Sequence, residues 1–182
     1  MSRIGLKYAL LISLAVGGAY LGYGIVQKIT HKKEINDRTT HVPVFQFTDL
    51  EGRAFTQKDI ADKTTWLVYF DSSCEFCRME IKDIVKNKAA LSDIEMVLVS
   101  TEERDVLQKF SKDYGFESLK NFHIVQDKTH ECHERFGFVS TPSSLLYSAQ
   151  GALIERFKGV VKVEKIVSLL TDNPPKYSLT KL

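Results

Sequence analysis

The chain has 182 residues, 43% hydrophobic and 26% charged, with three cysteines and a formal net charge of +2. That is one domain's length at ordinary globular composition, which excludes a disordered chain, a collagen-like chain, a multi-span membrane protein and a disulfide-stapled scaffold. The charge is split: residues 1–43 hold six Lys/Arg against two Asp/Glu (+4), the rest nineteen against twenty-one (−2), so the body does not attract nucleic acid.

Residues 8–26 run nineteen positions without a charge, with Arg3 and Lys7 before them and Lys28, Lys32 and Lys33 after. As a helix this stretch is about 28 Å long, close to the hydrocarbon thickness of a bilayer. Tyr20 and Tyr23 fall where interfacial aromatic rings belong. Two readings fit: an uncleaved single-pass anchor over residues 1–26, or a signal peptide cut near Gly17-Gly18-Ala19. The apolar run continues past Ala19 and ends on lysines, as a stop-transfer pattern does, which favours the anchor. The positive charges flanking the run are nearly balanced, so they leave its orientation open. Residues 27–42 are polar and read as a tether leading into a domain over 43–172, with a tail at 173–182 after Pro174-Pro175.

Within the body, residues 44–49 alternate as a strand and run into the turn signal Glu51-Gly52. Residues 65–71 form an apolar, β-branched and aromatic run expected of a strand buried on both faces. Cys77, Ile81, Ile84 and Val85 then fall on one helical stripe. A second buried strand is expected at 94–100, a helix at 102–114 closed by Gly115, and a short strand at 122–125. A short helix at 129–136, two strands at 143–147 and 153–157 around Gly151, and a helix at 161–170 follow. Alternating β and α elements predict a parallel core sheet with helices on both faces and an antiparallel hairpin edge. The class is α/β, in a domain of roughly 130 residues.

Cys74-Glu75-Phe76-Cys77 sits where a buried strand ends and a helix begins. Free N–H groups and the macrodipole at a helix start stabilise an anion, which makes Cys74 the thiolate nucleophile. Cys77, one turn further in, is shielded and acts as the resolving thiol. A zinc site needs two more ligands, and Cys132 with five scattered histidines supplies no second pair. A purely structural disulfide over so short a loop constrains little. Redox chemistry remains. Cys132, between His130-Glu131 and His133, reads as a small buried hydrophobe, with a third redox thiol or a metal ligand as the other readings.

The strand, the SSCEFC motif, the helix and the later Val139-Ser140-Thr141-Pro142-Ser143 together resemble the thioredoxin superfamily. The 65 positions from Cys77 to Pro142 leave room for one extra strand–helix unit. With the N-terminal segment, the chain is similar to TlpA/ResA-type membrane-tethered thiol-disulfide oxidoreductases, in the redoxin (AhpC/TSA-like) branch. The resemblance covers roughly residues 43–171 and implies a thioredoxin-like fold, a central mixed β-sheet flanked by helices.

Several residue roles follow from the resemblance. It implies a cis bond at Pro142, packed against the redox pair, and pairing of the Thr141 backbone with an extended substrate segment. Glu80 matches the acidic residue these proteins carry three positions after the second cysteine. On the inward stripe of the helix its pKa would rise, fitting it to move protons at the resolving thiol; a solvated Glu on an exposed stripe is the other reading. The chain departs from the pattern at Ser73, where a Trp is usual, and at Val68, where minimal thioredoxins bury an Asp.

The resemblance implies no cofactor beyond the redox-active Cys74–Cys77 disulfide, no metal, and a monomer. Its partners are protein disulfide substrates, a membrane thiol electron donor, and the membrane itself. It favours a disulfide reductase, for instance in apocytochrome c maturation. The redox domain would then lie on the extracytoplasmic (periplasmic) side, where substrate disulfides persist. Two other classes compete. A peroxiredoxin-like peroxidase needs a Pro upstream of its cysteine, and none occurs between Val44 and Cys74. A copper-binding module could use both thiols and an imidazole.

Overall fold

The structure, a computed structural model, describes residues 3–172; the tail expected at 173–182 lies outside the described residues. The chain divides into two compact units between Asp37 and Arg38. The first consists of the helix α1 (Arg3–Arg38) up to Asp37. The side chains of residues 8–15 and of Ile25, within the expected apolar run, lie outside the described residues. Among the described residues, no helix is long and apolar enough to cross a membrane. Residues 27–38, most of the expected tether, are helical, and neither Pro nor Gly interrupts them.

The second unit is built on one seven-stranded sheet: β1 (Gln46–Asp49), β2 (Ala54–Thr56), β3 (Thr65–Tyr69), β4 (Glu95–Ser100), β5 (Phe122–Gln126), β6 (Ser143–Tyr147) and β7 (Leu153–Lys158), in the order β2-β1-β5-β4-β3-β6-β7. β3, β4 and β5 are parallel, as the alternation predicts. Both edges are antiparallel: β6 and β7 beside β3, and the β1–β2 hairpin beside β5. The sheet is therefore mixed, with the parallel strands in its centre. β2 has no counterpart in the sequence reading.

The helices are α2 (Glu75–Lys86), α3 (Arg104–Tyr114), α4 (Glu131–Glu134) and α5 (Val163–Asp172). Alternation along the central strands sorts the core into two layers. Trp66, Val68, Met96, Leu98 and Leu146 face one way and pack with Cys77, Ile81 and Ile84 of α2, Leu107 and Phe110 of α3, and Ile166 of α5. Leu67, Val97, Val99 and Leu145 face the other way, onto Phe45, Phe47, Phe136, Phe138 and Cys132 of α4. Helices thus lie on both faces, unequally: three on one, a single-turn helix and an aromatic layer on the other. The rings of that layer stack with centroids 4.7 Å apart for Phe45–Phe47 and 6.0 Å apart for Phe136–Phe138.

The domain begins upstream of Pro43. Val42 donates its N–H to the Gly151 carbonyl at 2.9 Å, and Leu153 donates to the Thr40 carbonyl at 2.8 Å. Thr39 is fully buried. Arg156 Nη2 donates to its hydroxyl at 2.7 Å, and the Tyr147 hydroxyl donates to its carbonyl at 3.4 Å.

Candidate active site

β3 is buried on both faces and hands the chain over at the C-terminal edge of the parallel strands, where open α/β sheets place their chemistry. Phe70 still pairs with Val99, its N–H donating to that carbonyl at 2.9 Å. Asp71 then folds the next residues into a turn: its Oδ1 accepts from the Ser73 N–H at 2.8 Å and the Ser73 hydroxyl at 2.5 Å. The Cys74 N–H donates to the Asp71 carbonyl at 3.2 Å. This turn makes Cys74 the N-cap of α2, in extended backbone (φ −70°, ψ 123°). Its Sγ accepts the Cys77 N–H at 3.4 Å, taking the place a capping hydroxyl usually fills.

Two further walls come from distant sequence. The Thr141–Pro142 peptide bond is cis, and the Cys74 thiol points at the Thr141 carbonyl, 3.9 Å away. Pro142 in turn accepts the Gly159 N–H through its carbonyl at 2.9 Å. Two residues later, Val161 donates its N–H to Glu80 Oε1 at 2.9 Å. One turn along α2, Asp83 Oδ2 accepts the Val163 N–H at 2.8 Å and so caps α5. The five residues singled out in the sequence, Cys74, Cys77, Glu80, Thr141 and Pro142, thus lie on adjoining segments joined by hydrogen bonds.

The two thiols are unequal, and all three cysteines are free. Burial opposes ionisation of Cys74, but hydrogen bonds from the Cys77 side chain and backbone and from Thr141 outweigh it and hold its thiol below the ordinary range. Cys77 is 1% exposed. Burial, reinforced by its interaction with Cys74, pushes its thiol up to about 12. Glu80 is equally buried at 1% exposure, so it belongs to no solvated stripe. Burial pushes its carboxyl up to about 7, against the Val161 hydrogen bond and with repulsion from Asp83 added. Its Oε2 has no hydrogen-bond partner among the described residues. A buried carboxyl that titrates near neutrality, one turn beyond a thiol needing a base, is equipped for proton transfer.

Cys132 sits in the opposite layer of the core, its N–H donating to Asp127 Oδ2 at 2.8 Å. Burial and the neighbouring Asp127 push its thiol well up, away from the thiolate. Among the described residues, no group of three or more His, Cys, Asp or Glu side chains is arranged to hold a metal. A groove of about 1010 Å³ opens elsewhere, between the β1–β2 hairpin and α3, and none of the site residues lines it.

The sequence reading missed three participants. Asp71 carried a signal, since Asp followed by two serines favours an Asx turn. The Val161 N–H carried none, because only the fold brings it to a side chain 81 positions away. Glu102, expected as the first residue of a helix, instead lies ahead of α3 and turns its carboxylate back to Ser72.

The sequence profile of the AhpC/TSA family matches residues 39–162. The chain belongs to the AhpC/TSA family. Among curated relatives of this family member, the thiol-disulfide oxidoreductase ResA of Bacillus cereus (strain ATCC 10987 / NRS 248) is 26% identical over 178 residues, 96% of this chain and all of the relative. ResA of Halalkalibacterium halodurans is 23% identical over 80% of this chain and 82% of its own. Solved structures share the fold. StoA from Bacillus subtilis matches with a TM-score of 0.56 at 21% identity, over 69% of this chain and 95% of that one. A thiol:disulfide interchange protein from Chlorobium tepidum TLS gives 0.62 at 18% identity, over 74% and 95%. These findings agree with a TlpA/ResA-type protein of the thioredoxin superfamily, an oxidoreductase.

Proposed function

We propose that this protein exchanges disulfides with polypeptide substrates through Cys74 and Cys77, acting as a reductase. The observation that carries the reading is the asymmetry of the pair. Cys74 caps a helix with its thiol eased towards the thiolate, while Cys77 is buried one turn inside with its thiol held protonated.

In the forward direction, the Cys74 thiolate attacks one sulfur of a substrate disulfide. A Cys74–substrate bond forms, and the other substrate sulfur leaves as a thiolate that takes a proton from solvent. Glu80 then accepts the Cys77 proton, and the Cys77 sulfur attacks Cys74 Sγ. The Cys74–Cys77 disulfide forms as the second substrate thiolate departs and takes a proton from solvent, and Glu80 releases the Cys77 proton to solvent. Two electrons and two protons pass to the substrate, and an external dithiol restores the pair. The substrate backbone runs beside Thr141.

The same reading places the redox domain outside the cytoplasm, tethered by the N-terminal helix and re-reduced by a membrane thiol carrier. The uncharged run at 8–26 supports this, as does a likeness to ResA that spans 96% of the chain. Apocytochrome c is the substrate class the resemblance favours.

Equilibration of the purified protein with glutathione buffers is the test. A two-electron couple with a potential near that of thioredoxin, about −270 mV, together with reduction of a peptide disulfide, is expected; a value near about −120 mV would reverse the direction. Turnover of hydrogen peroxide without disulfide exchange would replace the reading with a peroxidase.

A further inference from the structure

The turn that presents Cys74 is gripped from both sides at Ser72. On one side stands Glu102, in the connection between β4 and α3. Its Oε2 accepts the Ser72 N–H at 2.8 Å, and its Oε1 accepts the Ser72 hydroxyl at 2.5 Å. Ser100, the last residue of β4, fixes that carboxylate in turn: its hydroxyl donates to Glu102 Oε2 at 3.1 Å and accepts the Glu102 N–H at 3.2 Å. On the other side stands Arg78, whose Nη1 donates to the carbonyls of Ser72 at 3.3 Å and Ser73 at 3.0 Å. Every polar group of Ser72 is thereby engaged, two positions before the nucleophile.

Charge-assisted hydrogen bonds such as these are about twice as strong as neutral ones, and a carboxylate taking both donors of one residue fixes direction as well as distance. The turn needs such a fixture. It is short and polar, and the residue before Cys74 is the small Ser73, whose hydroxyl donates to Asp71. Glu102 is in no position to touch a substrate sulfur, because its oxygens are turned onto serine groups.

We infer that Glu102 is a positioning residue of the redox pair, seating Ser72 so that Cys74 Sγ stays against the Cys77 N–H at the start of α2. The inference rests on the reading of Cys74 as the attacking thiol. It has a signature that separates it from a plain charge effect. A carboxylate acting through its charge would disfavour the thiolate, so removing it would make Cys74 more reactive. A carboxylate acting as a seat favours the thiolate through geometry, so removing it makes Cys74 less reactive.

The test is the rate at which iodoacetamide alkylates Cys74 in the reduced full-length protein, followed from pH 5 to 9 with mass-spectrometric assignment of the modified thiol. Glu102→Ala is expected to slow the reaction at pH 7 by about fivefold to tenfold and to move its midpoint to higher pH, as loss of a thiolate-stabilising contact does. Glu102→Gln keeps an oxygen for the Ser72 N–H and is expected to stay within about twofold of the parent. Should Glu102→Ala fail to fold, Ser72→Ala removes one of the two bonds from the opposite side and is expected to slow alkylation by about twofold to threefold. Alkylation unchanged or faster in folded Glu102→Ala or Ser72→Ala overturns the inference, and so does alkylation of Glu102→Gln faster than the parent by more than about twofold. If Cys74 is not the fast thiol of the parent protein, the reading of the pair itself fails instead.

Discussion

Cys77→Ser is expected to convert the protein from a catalyst into a reagent that reacts once and stops. The variant keeps the helix start, the backbone N–H of residue 77 held 3.4 Å from Cys74 Sγ and the contact of Cys74 with the Thr141 carbonyl, and a serine hydroxyl takes the place of the Cys77 thiol beside Cys74. A substrate disulfide is still attacked, but no second thiol exists to release it, so a mixed disulfide accumulates. Turnover of a peptide disulfide should fall by at least about a thousandfold, the scale expected when one member of a nucleophilic pair is removed. Cys74→Ser should lose the same turnover and form no adduct, because the remaining thiol is 1% exposed and its burial disfavours the thiolate. Non-reducing gels with mass spectrometry distinguish the two variants. An adduct on Cys77 in Cys74→Ser, or none in Cys77→Ser, would exchange or cancel the assigned roles.

Glu80→Gln carries the second large effect, and it divides between stability and rate. In the folded protein the Glu80 carboxyl titrates at about 7, against an ordinary value of 4.5. A raised pKa means that the folded state prefers the proton. The stabilisation it confers is complete below pH 4.5 and disappears as pH rises through 7, a change of up to about 3 kcal/mol for a shift of this size. Denaturant midpoints of the parent protein should therefore fall between pH 5 and pH 8. Those of Glu80→Gln should be nearly flat, leaving the variant more stable than the parent at pH 8 by about 1–3 kcal/mol. The rate moves the other way. Release of the mixed disulfide needs a base for Cys77, so it should rise with pH through 7 in the parent and fall about a hundredfold or more in the variant. A stable variant with an unimpaired release step would remove Glu80 from the mechanism.

What the sequence makes legible follows the range of the forces involved. Thr65–Tyr69 and Glu95–Ser100 stand out because strands buried on both faces read as near-continuous apolar runs, here residues 66–69 and 96–99. Gly115 marks the end of α3 because the chain there takes a left-handed turn, φ +71°. Cys74 and Cys77 stand out because their signal lies in a strand, four residues and a helix. β2 escapes notice because three residues, Ala54–Phe55–Thr56, carry too little pattern, and only pairing with β1 makes them a strand. Glu102 escapes for a different reason. Its place in a helical pattern is outweighed by donors from Ser72 and Ser100, and α3 opens at Arg104 instead. The partner of Glu80 is a backbone N–H, which no residue type announces.

The seam formed by residues 39–42 bears on how this protein is to be produced for the bench. A soluble fragment cut before Pro43, where the composition changes, would discard the Thr39 hydroxyl and carbonyl that satisfy Arg156 and Tyr147, and the backbone pairing of Thr40 and Val42 with the β6–β7 hairpin. Each buried polar group left unmatched costs about 1–3 kcal/mol, a large share of the 5–15 kcal/mol by which a domain usually holds together. A fragment beginning at Arg38 keeps the seam whole. Its first residue also retains the guanidinium that donates to the Glu134 carbonyl. Five amino acids, dispensable by composition, thus separate a fragment with its buried groups matched from one whose oxidation chemistry would be measured on a weakened fold.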